Sequence, residues 1–216
     1  MSNDASLIDY YAKRANEYEK IYAKPERQND LAELKKIFHK TFAEHNVLEI
    51  TCGTGYWTQI VSQSAKSIVA TDINEEVLQV ARTKNYGCKI SFEKADAFNL
   101  MLSENKFTAG LAAAWWSHLR KSEIRSFLSQ FHRQFPSGSL ITFMDNKFVA
   151  GSRPPIGRTD NDGNTYQMRK LENGKQYEVL KNFPCESEAR EFVGDSTAEF
   201  SWTELQYYWL LTYKLK

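Results

Sequence analysis

The sequence predicts an α/β domain built on a doubly wound, mostly parallel sheet, and three observations lead to that prediction. From residue 47 onward, short apolar segments alternate with amphipathic ones, which is the rhythm of consecutive βαβ units. The first apolar segment ends in Gly53 and Gly55, a glycine pair typical of a tight strand-to-helix turn. Residues 198–205 and 207–215 close the chain as two long, aromatic-rich strands.

Two helices are expected before the sheet, over residues 5 to about 22 and over residues 29–44. In the second of them, apolar side chains such as Leu34 and Phe38 recur at helical spacing. Pro25 and its polar neighbours separate the two helices, because proline and short polar runs interrupt regular structure.

Five strands and three helices follow in alternation. The predicted strands cover residues 47–51, 67–72, 89–96, 107–116 and 139–146. The predicted helices cover residues 57–65, 74–84 and 121–135, and the last one ends in a Phe-Pro-Ser-Gly-Ser turn. Because βαβ crossovers are right-handed, these helices are expected to cover both faces of the sheet.

After the fifth strand the alternation stops, and residues 147–164 are rich in Gly, Pro, Asp and Asn. Two extended segments then flank Asn173-Gly174, a strong signal for a β-hairpin, and a short helix is expected over residues 184–192. We therefore predict one domain over residues 1–216. Its parts are N-terminal cap helices in 1–45, a ligand-binding core in 46–146, an inserted cap in 147–182 and a closing helix and strands in 183–216.

Composition argues against several classes of protein. A formal net charge of +1 and a sequence pI of about 7.7 create no strong field for nucleic acid or anionic membranes. No apolar run approaches the roughly 20 residues of a membrane helix, and the first residues lack the apolar core of a signal peptide. Cys52, Cys88 and Cys185 show no CxxC spacing, so neither a disulfide framework nor a metal site is predicted. We expect a cytoplasmic protein.

Acidic residues mark the ends of the first three strands. In open α/β sheets, ligands bind beyond the carboxyl ends of the strands, where glycines let the backbone approach closely. Asp72 closes the second strand, where a carboxylate can accept both hydroxyls of a ribose, and Asp96 closes the third. Glu49 lies within the first strand, below the glycines. For each acid alone, the alternative is a helix cap or a solvated strand end.

The segment from Glu49 to Gly55 resembles the first motif of class I S-adenosylmethionine-dependent methyltransferases, written E/D-x-G-x-G-x-G. Glu49, Gly53 and Gly55 match it in register, and Thr51 stands in place of its first glycine. The resemblance implies a seven-stranded Rossmann-like fold with a reversed C-terminal hairpin. It also implies S-adenosylmethionine (SAM) as cofactor and S-adenosylhomocysteine (SAH) as product, with Asp72 and Asp96 in the cofactor site. Three further residues, Ile73, Ala97 and Trp115, are assigned to that site.

The segment from Tyr10 to Tyr18 is similar to the N-terminal helix of small-molecule methyltransferases of the quinone-biosynthesis and type 11 groups. In such relatives this helix folds over the cofactor. The resemblance therefore implies that Tyr11 and Arg14 lie near the methionine carboxylate of SAM.

Three alternative functions stay open. A nicotinamide dehydrogenase shares the glycines and the strand-two acid, but its fingerprint needs a third glycine where this chain has Thr58. A nucleic-acid methyltransferase is disfavoured by the neutral net charge and by the lack of an N/D-P-P-Y/F/W motif after the fourth strand. The third is a regulatory protein that binds SAM without turnover.

The acceptor is expected to be a small molecule, methylated by in-line displacement. His118 is a candidate base, although a structural role is favoured, and the acceptor atom (O, N, C or S) is left open. Trp116, Arg169 and Tyr177 are candidates for the substrate pocket. The insertion carries seven Lys and Arg against four acids, which indicates an anionic or aromatic acceptor. The chain is expected to be a monomer or a homodimer.

Overall fold

The computed structural model describes residues 5–102, 107–194 and 197–216, and the ten strands in this part of the chain form two sheets. The strands are β1 Asn46–Ile50, β2 Ser67–Asp72, β3 Lys89–Lys94, β4 Ala109–Ala113, β5 Leu140–Asn146, β6 Arg158–Thr159, β7 Thr165–Lys170, β8 Gln176–Leu180, β9 Thr197–Glu204 and β10 Tyr208–Leu215. The α-helices of the same residues are α1 Ala5–Arg14, α2 Gln28–Thr41, α3 Tyr56–Val61, α4 Glu75–Arg82, α5 Ile124–His132 and α6 Glu186–Val193.

The larger sheet has seven strands in the order β3-β2-β1-β4-β5-β10-β9. Strands β1 to β5 run parallel, whereas β10 pairs antiparallel with both β5 and β9. The strand order reverses between β1 and β4, which places the ligand-binding crevice of an open α/β sheet at their carboxyl ends. The predicted doubly wound sheet with a reversed C-terminal hairpin is confirmed.

Apolar clusters cover both faces of this sheet. One contains Phe127 of α5 and Trp209 of β10, and the other contains Leu34 of α2 and Trp57 of α3. Strand β4 lies between them with all five residues buried, as expected for a central parallel strand. Burial on both faces is what holds the strand ends, and the loops that follow them, at fixed positions.

The inserted segment forms the smaller sheet, in the order β6-β7-β8. Its β7–β8 hairpin turns at Asn173-Gly174 as predicted, and Gly174 adopts a φ of 88° that favours glycine. Helix α1 packs against this hairpin, with the rings of Tyr10 and Tyr177 5.4 Å apart. The N-terminal helix and the insertion therefore cover the same end of the large sheet.

The first predicted helix is too long. Helix α1 ends at Arg14, and a 3-10 turn follows over Tyr18–Ala23. This turn stacks the ring of Tyr22 on that of Tyr56 at 3.8 Å and lets the indole N–H of Trp57 donate to the Tyr22 hydroxyl at 3.0 Å. Tertiary aromatic contacts thus override the helical periodicity of the sequence.

The fourth strand also ends earlier than predicted. Strand β4 stops at Ala113, because Ala114 adopts a left-handed φ of 58° and turns the chain out of the sheet. The following residues form a 3-10 turn over Trp116–His118. Within the described residues, no helix has the length and apolar character needed to cross a membrane.

Candidate functional site

A cavity of about 1030 Å³, including its open mouth, lies at the carboxyl ends of β1, β2 and β4. Residues after these strands and after β3 form its floor, and α1 with the following turn forms its cover. Its lining includes eight of the predicted site residues: Tyr11, Gly53, Asp72, Ile73, Asp96, Ala97, Trp115 and His118. The strand-end geometry therefore brings together residues that are spread over more than one hundred positions of sequence.

The glycine loop is tied to Asp72. The two carboxylate oxygens of Asp72 accept the backbone N–H groups of Gly53 and Asn74, each at 2.9 Å. A Cβ added to Gly53 would meet no atom within 4 Å, so this loop keeps open space beside the strand end. Burial raises the pKa of Asp72, although the backbone N–H groups oppose that shift. The loop and the acid therefore form one cradle at the ends of β1 and β2.

The second glycine has a packing role in this structure. A Cβ on Gly55 would lie 2.6 Å from the Tyr86 hydroxyl and 3.1 Å from the Cβ of Ala81, so the glycine permits helix α4 to approach. Glu49 is also outside the cavity lining; it is 1% exposed, and burial raises its pKa to about 8. One carboxyl oxygen of Glu49 has no hydrogen-bond partner among the described residues, so the carboxyl is protonated at neutral pH.

Backbone strain is concentrated at the cavity. Four non-glycine residues of the described chain have positive φ, and two of them, Thr51 (51°) and Ala114 (58°), line the cavity at the ends of β1 and β4. A β-branched residue in this conformation is unusual and costs on the order of 1–3 kcal/mol. Thr51 stands where the motif named above has a glycine, and the structure supplies the physical reason for that preference.

Replacing Thr51 by glycine is expected to stabilise the protein by about 1 kcal/mol, because relief of the left-handed strain exceeds the entropic cost of glycine. Thermal unfolding would measure the change. Thr83→Gly is the matched control, since Thr83 has an ordinary φ of −80° and should lose stability on the same change. A lower melting temperature for both variants would contradict the assignment of strain to Thr51.

Residues after β3 and β4 form the far wall of the cavity. The Asp96 carboxylate accepts the backbone N–H of Phe98 at 2.9 Å, which fixes the turn that presents Ala97 to the cavity. The rings of Phe98 and Trp115 lie 5.9 Å apart, edge to face. The indole N–H of Trp115 is buried without a partner among the described residues. This wall combines flat apolar surfaces with a carboxylate, a combination suited to a heteroaromatic ring.

His118 connects the core, the insertion and helix α1. Its Nδ1 lies 2.8 Å from the carbonyl oxygen of Leu180, and its Nε2 lies 2.8 Å from the hydroxyl of Tyr11. A carbonyl only accepts, so Nδ1 carries the proton and the Tyr11 hydroxyl donates to Nε2. Burial lowers the pKa of His118 to about 3, which keeps the ring neutral. The lone pair that a general base would need is already engaged.

The remaining predicted site residues lie away from the cavity lining. Trp116 is 1% exposed and packs in the core against Phe143, so it does not line this cavity. Tyr177 donates its hydroxyl to Asp9 at 2.9 Å and holds α1 on the hairpin. The guanidinium of Arg14 lies over the rings of Tyr10 and Tyr18, at 5.6 and 5.3 Å.

Arg169 lies on β7, next to the cavity but outside its lining. Its guanidinium donates to Gln167 at 2.6 Å. Its charge favours ionisation of the Tyr11 hydroxyl and disfavours protonation of His118, which places it within electrostatic reach of both.

A buried ion pair joins the insertion to the core. The ammonium of Lys181, after β8, lies 3.1 Å from a carboxylate oxygen of Asp145 in β5, and their side chains are 4% and 0% exposed. Asp145 also accepts the backbone N–H of Ser117 at 3.0 Å and its hydroxyl at 2.7 Å. Burial lowers the pKa of Lys181 to about 8. The pair fixes the insertion against the turn that carries His118.

Sequence reasoning missed two arginines, one buried (Arg27) and one half-buried (Arg153). Arg27 is 3% exposed and donates toward Asn146 and Tyr208 at 3.4 and 3.5 Å. Arg153 donates to the same Asn146 side-chain oxygen, and burial together with the neighbouring charge of Arg27 lowers its pKa to about 10. The basic excess of the insertion was a signal for Arg153, whereas nothing local distinguished Arg27. Within the described residues, no group of His, Cys, Asp and Glu is arranged to hold a metal ion.

The fold and the cavity define an α/β protein with a site suited to a nucleoside-bearing ligand at the switch point of its sheet. Residues 47–138 match the family model described as a methyltransferase domain. The malonyl-[acyl-carrier protein] O-methyltransferase of Hamiltonella defensa subsp. Acyrthosiphon pisum (strain 5AT) is 28% identical over 100 residues. That segment is 45% of this chain, and the match spans only 36% of the relative's length.

Solved structures share the architecture over nearly the whole chain. A DhpI complex with SAH has a TM-score of 0.78 at 22% identity, covering 97% of this chain and 95% of that one. The magnesium protoporphyrin IX methyltransferase (ChlM) of Synechocystis PCC 6803, with bound SAM, has a TM-score of 0.66 at 14% identity, covering 100% and 98%. The chain therefore shares its fold with these solved structures, and its residues 47–138 match the methyltransferase-domain model.

Proposed function

We propose that the chain transfers a methyl group from SAM to a small anionic molecule. The cradle at the ends of β1 to β4 carries this proposal: an open glycine turn at Gly53, the carboxylate of Asp72 bonded to it, and the Asp96 turn beyond. This arrangement suits an adenosine-bearing ligand, because a carboxylate beside an open turn can accept ribose hydroxyls. A relative described as an O-methyltransferase and the methyltransferase-domain match support the reaction class.

Each part of the cavity has a role in holding this cofactor. Asp72 would accept ribose hydroxyls, the Asp96–Ala97 turn would contact the adenine edge, and Trp115 and Phe98 would flank the ring. When bound, the sulfonium cofactor supplies an electrophilic methyl group. The chain has to align the acceptor with that methyl group and exclude water. Helix α1, held by the Tyr11–His118 bond, covers the cavity and serves both tasks.

An anionic acceptor is supported by the charges of the insertion. Six of its seven Lys and Arg fall into two groups in the structure, and the seventh, Lys170, is exposed. Four are paired with carboxylates: Lys147 with Glu204, Arg158 with Glu178, Lys175 with Asp9, and Lys181 with Asp145. Arg153 and Arg169 form no ion pair among the described residues, and both side chains are half-buried. Unpaired guanidinium groups beside a cavity favour a negatively charged ligand.

Calorimetric titration with SAH, with NAD and NADP as comparison ligands, tests the cofactor class. We expect micromolar or tighter binding of SAH alone, which corresponds to about −8 kcal/mol. Binding of a dinucleotide instead of SAH would contradict the proposal. Methyl uptake from labelled SAM then separates an enzyme from a regulatory protein that binds SAM without turnover.

A further inference from the structure

Arg27 is buried, Arg153 and Arg169 are half-buried, and the cavity lining includes none of these three arginines. Arg27 and Arg153 share the side-chain oxygen of Asn146, and the charges of Arg27 and Arg169 both act on Arg153. None of the three forms an ion pair within residues 5–102, 107–194 and 197–216. Resting on the proposed function, we infer that they bind the methyl acceptor, and that this acceptor is a doubly ionised tetrahedral oxyacid, a phosphate monoester or a phosphonate.

The local charge count requires two negative charges. The cluster contains the three arginines and Lys181, and the ammonium of Lys181 lies 3.1 Å from a carboxylate oxygen of Asp145. The other carboxylate in the cluster, Asp30, accepts the backbone N–H of Tyr207 at 2.7 Å. Four cations against these two carboxylates leave two positive charges in a largely buried region. A monocarboxylate would neutralise one of them and a dianion neutralises both.

Unsatisfied donors point to the same ligand. The Nε–H groups of Arg27 and Arg153 are buried and have no partner among the described residues. The exposed fraction of Arg27 is only 3%. A buried donor without an acceptor is costly, and a guanidinium fork matches the spacing of two oxygens on one phosphorus. A phosphoryl group, with three ionised or polar oxygens, can accept from more than one arginine at once.

The cluster interacts electrostatically with residues of the cavity lining. Tyr18 lines the cavity and interacts electrostatically with Asp145 and Tyr208 of the cluster. Arg169 acts in the same way on Tyr11 and His118, which also line the cavity, and the rings of Tyr11 and Tyr18 are 5.8 Å apart. An anion held by Arg153 and Arg169 would therefore lie between the cluster and the cavity, with an oxygen directed at the cavity.

An ionised acceptor also agrees with the hydrogen bonds of His118. His118 accepts from Tyr11 at Nε2 and donates from Nδ1, so it has no lone pair for a substrate proton. An oxyanion needs no general base. Its oxygen forms the new O–C bond while the S–C bond of SAM breaks, and the electron pair of that bond returns to sulfur. The products are a methyl ester with one remaining negative charge and neutral SAH.

Ethyl phosphate and ethyl sulfate, two ligands of equal shape but different charge, test whether the site requires a dianion. Ethyl phosphate is a dianion at pH 8, since its second ionisation lies near pH 6, whereas ethyl sulfate is a tetrahedral monoanion. Calorimetry at pH 8 would compare ethyl phosphate, ethyl sulfate and propionate, each with and without saturating SAH. We expect ethyl phosphate to bind about tenfold or more tighter than either monoanion. Mass spectrometry of the same mixture with SAM should show methylated ethyl phosphate.

The variants Arg153→Gln and Arg169→Gln should each weaken ethyl phosphate binding about tenfold while leaving SAH affinity unchanged. Arg133→Gln, at an exposed position after α5, is the matched control and should change neither. Equal affinity for the three anions, or ethyl phosphate binding without methylation, would overturn the inference while SAH binding left the proposed function intact. Failure to bind SAH would overturn both.

Discussion

Replacing Lys181 by methionine is expected to destabilise the protein by about 3–5 kcal/mol. Lys181 is the partner of Asp145, and both side chains are buried within the same network as Ser117. Removing the ammonium leaves a carboxylate in a region with almost no solvent. Although burial opposes ionisation, the charge of Lys181 and the bonds from Ser117 hold the pKa of Asp145 well below its ordinary value.

Urea unfolding at pH 7 would measure this loss. Lys170→Met is the matched control, because Lys170 is exposed on the same hairpin and should change stability by less than about 0.5 kcal/mol. The double variant Lys181→Met/Asp145→Asn should recover part of the loss, since it removes the unpaired charge and keeps an acceptor for Ser117. Equal stability of Lys181→Met and Lys170→Met would contradict the role given to the pair.

The pH dependence of the same pair has a defined sign. Because the pKa of Asp145 is lower in the folded protein, the unfolded chain binds a proton first as the solution is acidified. The stability from Asp145 is therefore complete above its unfolded pKa of about 3.9 and is lost as pH falls from there toward the folded value. The acid limb of the stability curve should be shallower in the double variant than in the original chain.

Replacing Asp72 by asparagine is expected to weaken SAH binding by about 1–3 kcal/mol, or roughly fivefold to 150-fold. The carboxylate has two functions that an amide cannot both perform. Its oxygens accept the N–H groups of Gly53 and Asn74, and its charge strengthens the bonds that ribose hydroxyls would donate. In asparagine an NH2 group, which is a donor, replaces one of the two carboxylate oxygens. That NH2 group would face a backbone N–H group, which is also a donor.

Calorimetric titration with SAH would measure the loss, with Glu76→Gln as the matched control. Glu76 is an exposed acid in the first turn of α4, four residues after Asp72, and lies outside the cavity lining. Its substitution tests whether any lost acidic charge near the strand end weakens binding. If Asp72→Asn keeps full affinity, Asp72 does not contact the ribose.

Local patterns were sufficient to predict most of the sheet. Strands β1, β2 and β5 are short segments with an apolar centre, and Asn173-Gly174 marks the turn of the β7–β8 hairpin. These signals depend only on residues close in sequence. The same holds for the cavity floor. Gly53, Asp72 and Asp96 follow strand ends, and parallel strands bring their carboxyl ends to one edge of the sheet.

Local patterns failed where distant contacts decide the outcome. The helical spacing of the first segment continues past Arg14, but the stack of Tyr22 on Tyr56 ends the helix there. Trp115 and Trp116 are adjacent and chemically alike, yet one lines the cavity and the other packs in the core. The left-handed turn at Ala114 directs the two tryptophans differently. The residues next to Ala114 in sequence give no signal for that turn.

The sequence by itself determined the sheet, the glycine turn and the acids that floor the cavity, since each depends on periodicity or on a strand end. Tertiary structure alone decided what closes the cavity and what charge it presents. Arg27 comes from the segment before α2 and Arg153 from the insertion, and they meet on Asn146 of β5. His118 becomes neutral and loses its free lone pair only when Tyr11 and Leu180 reach it from more than sixty residues away. Burial and hydrogen bonding set the charge of a side chain, and both arise only when the chain has folded.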